Sequence, residues 1–486
     1  MIRNDVRRFL VVPAALVLLG SMLGSVCEDE TIVEVERPFF DDPPAMAAGF
    51  LGYDEQAVKL TTCGNCHVGQ QAEWEDTHHA EAWSELQNSG QADPSCEICH
   101  STGPNGNLTD AGGFVATADS RYQDVQCEAC HGPGEVHVNF PDNTGPLASI
   151  QVGTDLTSGC GECHRASGGA HNPFIEDWSL SRHGDAANRP QYRQREGCRN
   201  CHGAQGALLA WGVNDVYLEK DTGEEIGVVC AVCHDPHNGT NSGQTRFPID
   251  VREVDTNLCM KCHQRRAVPD LDAPQRGPHS PQGPLLLGEN VGWVPPNFEY
   301  DEGSIVATHG TERNPKLCAT CHVNQLEFTD PLTGLQRTGS GHLFKPIPCL
   351  DANGAPTASE ECELEERSFD SCTAAGCHGT EDAARSAYTL ATDRIARLTE
   401  ELDSLLEQVP DSEFDRDDNI FTIAEGASFN VGLGEIRSSA IHNPFLTEAL
   451  LVASMDAVEQ EYGVMNSLGV VDWNAELEAI KSRMGR

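Results

Sequence analysis

The pattern Cys-x-x-Cys-His occurs eight times: Cys63, Cys66 and His67; Cys96, Cys99 and His100; Cys127, Cys130 and His131; Cys160, Cys163 and His164; Cys198, Cys201 and His202; Cys230, Cys233 and His234; Cys259, Cys262 and His263; Cys318, Cys321 and His322. With 21 cysteines and 19 histidines in 486 residues, random order gives about 0.04 copies of this pattern. Two thiols at this spacing can each form a thioether to one vinyl group of a single haem. The next residue then turns its imidazole under the ring to ligate iron. A ninth copy, Cys372, Cys377 and His378, has four residues between its cysteines. Its wider loop still brings both sulfurs to one ring, although Cys349 and Cys362 upstream offer other pairings; with all nine motifs in use, those two are left to pair with each other. The spacing therefore predicts about nine covalently attached haem c groups. Zinc knuckles rarely place His directly after the second Cys in every copy, and a disulfide scaffold would not require the histidines.

Ten histidines lie outside the motifs: His78, His79, His137, His171, His183, His237, His279, His309, His342 and His442. Ten candidates face nine irons. An iron with two imidazole ligands is saturated and relays electrons, whereas an open distal position admits a substrate. The near-equality of the two counts favours the relay.

The elements that must position these residues are unusual. The first seven motifs begin 33, 31, 33, 38, 32 and 29 residues apart, the mark of one small repeated unit. Apolar residues make up 39% and aromatics 6%, while 46 glycines and 27 prolines make the chain rich in turns. The chain is short of core material, so the macrocycles themselves are expected to fill the interior, and folding to depend on them. After the ninth motif the character changes. Residues 381–408 contain no Gly or Pro, and Ile395, Leu398, Leu402 and Leu405 recur at helical spacing. Pro410 ends that helix, an acidic linker spans 411–418, and further helices are read over 447–462 and 474–484. The apolar stripe suits a helical cap on the motif region, with a dimer interface as the alternative. The predicted fold is mainly α with much irregular structure and very little sheet, elongated and built round stacked haems. Its parts are 1–27, a signal; 28–60, an acidic N-terminal linker; 61–380, the nine-motif domain; and 381–486, a C-terminal helical region.

Arg3, Arg7 and Arg8 precede an apolar run from Phe9 to Leu23, after which Glu28 to Glu30 appear, the layout of an export signal. The run is shorter than the roughly 20 residues of a membrane-spanning helix. Cys27 stands where a bacterial lipoprotein carries its lipid, but Val26 occupies a position that normally holds a small residue, so lipid anchoring at Cys27 and a cleaved or retained signal all stay open. A periplasmic or outer-surface location follows.

Several segments resemble known multihaem families. Trp74-Glu-Asp-Thr-His78-His79 and Trp178-Ser-Leu-Ser-Arg-His183 look like the distal-ligand segment of the tetrahaem cytochrome that accepts electrons from hydroxylamine oxidoreductase; that resemblance implies His79, not His78, as the ligand. Cys127 to His137 is similar to another segment of those proteins, and Cys230 to His237 resembles the doubled haem motif, whose second His crosses to a neighbouring haem. His279, in Pro278 to Gly283, and His342, in Thr338 to Phe344, look like ligand segments of large multihaem cytochromes. Ile441-His442-Asn443-Pro444 resembles the C-terminal part of pentahaem nitrite reductase and hydroxylamine oxidoreductase. Nine irons need nine distal ligands, and His79, His137, His171, His183, His237, His279, His309, His342 and His442 supply that number, leaving His78 spare. His171, beside the Gly-rich run Ser167 to Ala170, has the least defined setting. The catalytic haem of nitrite reductases and of octahaem tetrathionate reductase carries Lys in place of the motif His, and no such motif occurs here.

The formal net charge is −43, which repels nucleic acid and anionic surfaces and favours basic partners. Adaptation to a saline medium explains the same number. The expected function is extracytoplasmic electron transfer in anaerobic respiration, as a carrier or conduit between other redox proteins, basic cytochromes or a membrane quinol-linked donor. No catalytic residue is assigned. The alternative is a multihaem oxidoreductase acting on nitrite, hydroxylamine, sulfite or tetrathionate, and a third reading is a structural filament or other homo-oligomer.

Overall fold

The computed structural model describes residues 49–107, 109–141, 159–166, 171–187, 190–213, 226–271, 276–296, 298–329, 336–374, 376–415, 420–467 and 471–484. The signal segment, Cys27 and most of the 28–60 stretch lie outside these, as do Ser167 to Ala170 and part of the acidic run at 411–418.

Helix and irregular structure dominate. Among the described residues the sheet amounts to two antiparallel hairpins, β1 (Tyr53–Glu55) with β2 (Leu60–Thr61) and β3 (Glu327–Thr329) with β4 (Gln336–Thr338). The first hairpin falls within the stretch read as a linker, yet it is tied to the third motif. Tyr53 donates its hydroxyl to Asp124 at 2.9 Å, and the Leu51 and Gly52 N–H groups donate to Glu128. Three-residue strands are too short to leave a periodic signal in the sequence.

The motifs themselves are short turns, most of them a single turn of helix or 3₁₀-helix and that at Cys259 to His263 a hydrogen-bonded turn. The N–H of the histidine donates to the carbonyl of the first cysteine in the turns of His67, His164, His202, His234 and His263, at 2.8–3.1 Å. That closure puts both sulfurs and the imidazole on one side of the turn. The ninth motif reaches the same closure with two extra residues: His378 N–H donates to the Cys372 carbonyl at 3.2 Å, and Gly376, at φ 71°, makes the reversal that a residue with Cβ rarely adopts.

Core material is distributed unevenly. The motif region holds only small buried clusters, such as Ile175, Trp178, Ala204, Ala207, Ile226, Val229 and Val232. The large cluster lies at the C-terminal end, where the helices Glu381–Leu406, Ile423–Glu435, Pro444–Tyr462 and Trp473–Met484 bury the stripe of Ile395, Leu402 and Leu405 with Leu450, Met455 and Val458. Ala267, Leu285, Val291, Phe298 and Ile305 belong to the same cluster, so the bundle sits on the motif region as a cap.

The Ile423–Glu435 helix has no counterpart in the sequence reading, because Gly426, Gly432 and Gly434 argue against helix. Tertiary packing overrides propensity there. A Cβ at Gly426 would collide with the Trp293 ring and one at Gly434 with Thr399, so the glycines allow close approach. Asn430, fully buried, locks the contact by accepting from Trp293 N–H and donating to its carbonyl, both at 2.8 Å.

The start of the Pro444–Tyr462 helix matters most for position. Asn443 caps it by accepting from Leu446 N–H, and its amide donates to the carbonyls of Leu285 (3.2 Å) and Ile305 (2.8 Å). Pro444 at the first helical position needs no donor partner. Asn443→Ala therefore removes a cap and leaves two buried carbonyls without that donor. It should cost about 2–4 kcal/mol, read as a lower guanidinium midpoint; an unchanged midpoint would remove Asn443 as the anchor.

Candidate functional site

Among the described residues, eighteen histidines meet in nine pairs, and every pair joins one motif histidine to one histidine outside the motifs. The pairs are His67 with His137, His79 with His164, His100 with His171, His131 with His237, His183 with His263, His202 with His279, His234 with His342, His309 with His378, and His322 with His442. Their ring centres lie 6.0–6.3 Å apart. Direct stacking would bring the rings much closer. One metal between two imidazole nitrogens requires twice a bond of about 2.0 Å plus roughly 1.15 Å from nitrogen to ring centre, or about 6.3 Å. The residues present fit a haem iron held from both sides.

His78 is the exception. Its side chain is exposed and its Nδ1 lies 2.9 Å from Glu85, while the adjacent His79 faces His164. The 3₁₀ turn His78–Glu81, held by Ala80 N–H donating to the Thr77 carbonyl, separates the two neighbouring side chains.

Second partners fix which nitrogen faces the gap. Nδ1 of His100, His234, His309, His322 and His342 lies 2.7–3.1 Å from the carbonyls of Ala82, Gly243, Ile441, Phe344 and Ser340. A carbonyl only accepts, so each Nδ1 carries the proton and Nε2 keeps a free lone pair. His237 uses the Asp235 carboxylate at 3.4 Å. Burial favours the uncharged ring, lowering the imidazoles of His164 and His183 to about 4 and that of His442 to about 3, with neighbouring histidines adding to the shift. These are neutral donors throughout the physiological range. All eighteen of these histidines are at least partly exposed in the protein.

The attachment cysteines join the sites into a line. Sulfur–sulfur contacts link Cys63 to Cys127, Cys160 to Cys230, and Cys259 to Cys318. Cys130 interacts electrostatically with Cys160, Cys233 with Cys259, and Cys321 with Cys372. The sites therefore run in the order His67, His131, His164, His234, His263, His322, His378. Two sites join from the side: that of His100 through Cys99 with Cys163, and that of His202 through Cys201 with Cys262. Of the eighteen motif cysteines only Cys66 and Cys377, in the two end motifs, are exposed. The remaining pair, Cys349 and Cys362, forms a disulfide.

Sequence reasoning missed the side chains packed between pairs. Phe174 lies 6.0 Å from His164 and 5.1 Å from His342, and Phe344 lies 5.5 Å from His342 and 4.7 Å from His183. No motif marks them.

Comparison with known proteins gives matches to multihaem cytochromes. The family described as Cytochrome c554 and c-prime matches residues 62–132, and the Doubled CXXCH motif matches residues 223–268. The chain is 24% identical over 267 residues to the multiheme cytochrome MtrA of Shewanella baltica, an alignment spanning 51% of this chain and 71% of that protein. A solved structure, the undecaheme cytochrome from the S-layer of Carboxydothermus ferrireducens, is matched at 19% identity and a TM-score of 0.44, over 71% of this chain. The chain spans about half (51%) of that protein's length.

The adjacent pair His78 and His79 gives a test with an internal control. His79→Ala should convert one iron to a high-spin or mixed-spin state in the oxidised optical and paramagnetic resonance spectra, because it removes one of two strong-field ligands. His78→Ala should leave both spectra as they are. The reverse result would exchange the two assignments.

Proposed function

We propose that this chain, a multihaem c-type cytochrome, holds nine haem c groups with two histidines each and conducts electrons along them outside the cytoplasm. The nine pairs at 6.0–6.3 Å carry the reading, since each joins one attachment motif to one distal histidine. Bound haem supplies a reversible one-electron iron couple. The protein's share is to hold, orient and partly cover. Two neutral imidazoles saturate each iron and stay in place in both oxidation states, leaving no face for nitrite, hydroxylamine or a sulfur oxyanion. This favours a conduit over an oxidoreductase.

The order of sites supports conduction between two ends, near Cys66 and near Cys377, where motif sulfur reaches the surface. Other redox proteins are the natural partners. A net charge of −43 selects basic ones and makes docking salt-sensitive. The arginines before the apolar run at Phe9 to Leu23 support export. Among the described residues no helix is long and apolar enough to cross a membrane.

Intact mass of the mature holoprotein should exceed its polypeptide by nine haems. Low-temperature paramagnetic resonance of the oxidised protein should then show a negligible high-spin fraction. Eight haems would remove the Cys372 to His378 site. A high-spin signal near one iron per protein, perturbed by nitrite, hydroxylamine or sulfite, would replace the conduit with an enzyme.

A further inference from the structure

Midway along the line of sites, two segments distant in sequence close on one another. The helix Phe174–Leu180 carries Asp177, whose carboxylate accepts from Ser340 N–H at 2.8 Å and Ser340 Oγ at 2.6 Å. The Ser340 carbonyl in turn faces His342 Nδ1 at 3.1 Å. Each segment also inserts one phenylalanine. The rings alternate with imidazoles in the order His164, Phe174, His342, Phe344, His183, with centres 4.7–6.0 Å apart and planes at 61–81°. Those three histidines belong to three consecutive sites.

Phe344 is held at a backbone conformation that bulky residues avoid, φ 54°. The preceding turn is equally constrained: Gly341 sits at φ 77°, and a Cβ there would strike the Val323 carbonyl. An unfavourable conformation persists only where the surroundings fix it, and such residues cluster at functional sites. The reason is visible here. Only in this conformation does the loop present the ring of Phe344 to His342 and His183 and its carbonyl to His322 Nδ1 at 2.9 Å, so one residue touches an axial histidine of three neighbouring pairs.

We propose that Phe344, with Phe174 as its partner, is a positioning residue that fixes the ring orientation of His342 and His183 and thereby sets the ligand field and the coupling at the centre of the line. The inference rests on the reading of the pairs as haem ligands. Edge-on contact from an aromatic ring restricts rotation of an imidazole about its metal bond, and the angle between two axial imidazole planes governs the g-values of a low-spin iron. The His234 with His342 pair is nearly parallel, at 24°, whereas His183 with His263 is steep, at 69°, and Phe344 stands between the two.

The test uses the holoprotein and three variants, Phe344→Gly, Phe344→Tyr and Phe174→Leu. Intact mass comes first: a wild type without thioether-linked haem would overturn the ligand reading itself, independently of Phe344. With nine haems retained, Phe344→Gly relieves the φ constraint, keeps the carbonyl to His322, and removes the ring. It should shift the low-spin g-values of two irons, change the potentiometric titration of the same two, and leave the others in place. Phe344→Tyr, which keeps the ring, should restore both. Phe174→Leu should shift the His234 and His164 sites instead of the His263 site. If Phe344→Gly loads nine haems with g-values and titration identical to wild type, the proposal fails. It fails equally if Phe344→Tyr shows the same shifts as Phe344→Gly, since the ring would then not be the cause. Should Phe344→Gly not load nine haems, Phe174→Leu decides by the same readout.

Discussion

Two neutral imidazoles must face each other across about 6 Å, nine times over, and most of what is unusual in this chain follows from that requirement. Each motif turn fixes one imidazole beside its two sulfurs at no cost in chain length. The second imidazole has to arrive from elsewhere, and in each case it comes from a segment far along the sequence, as His137 does for His67 and His442 for His322. A fold that only needed to bury apolar surface would have no reason to hold so many polar rings with part of their surface uncovered. Here the polar rings come first and the backbone is arranged to aim them, through carbonyls that accept from Nδ1.

Apolar burial is concentrated where it can support this arrangement. The motif region has only small clusters, while the C-terminal helices build a conventional core that extends into the motif region at Ala267, Leu285 and Ile305. Asn443 joins the two kinds of structure. It caps a helix of the bundle, grips the backbone of the motif region, and directly follows His442 in the chain. The bundle thus packs on the motif region and also supplies the histidine that faces His322, and a single residue step couples its packing to that pair.

The haem chemistry was legible in the sequence because thioether attachment demands a contiguous pattern of five residues, and the candidate distal set followed from ten histidines outside nine motifs. The choice between His78 and His79 rested on resemblance; in the structure His79 faces His164, and His78 lies at the surface beside Glu85. What stayed hidden depends on contacts between distant segments. The Ile423–Glu435 helix contradicts its own glycine content because Trp293 and Thr399 need that space. The hairpin at Tyr53 is too short to carry periodicity. Phe174, Asp177, Ser340 and Phe344 have ordinary residue types, and only φ at Phe344 and the meeting of two segments give them meaning.

The centre and the ends of the line differ in their physical setting, and that difference bears on conduction. Within the line, desolvation lowers His164, His183 and, one site from the end, His442 below the usual imidazole range, with neighbouring histidines adding to the shift. At the ends, Cys66 and Cys377 meet solvent. A dry site disfavours net charge more than a wet one, so oxidation-state changes are not equally easy along the line even with identical ligands. Solvation thus sets one part of the profile, and the orientation of imidazoles, which aromatic packing can impose only in the interior, sets another. The Asp177 to Ser340 clamp holds together the two segments whose phenylalanines pack against histidines of three consecutive sites.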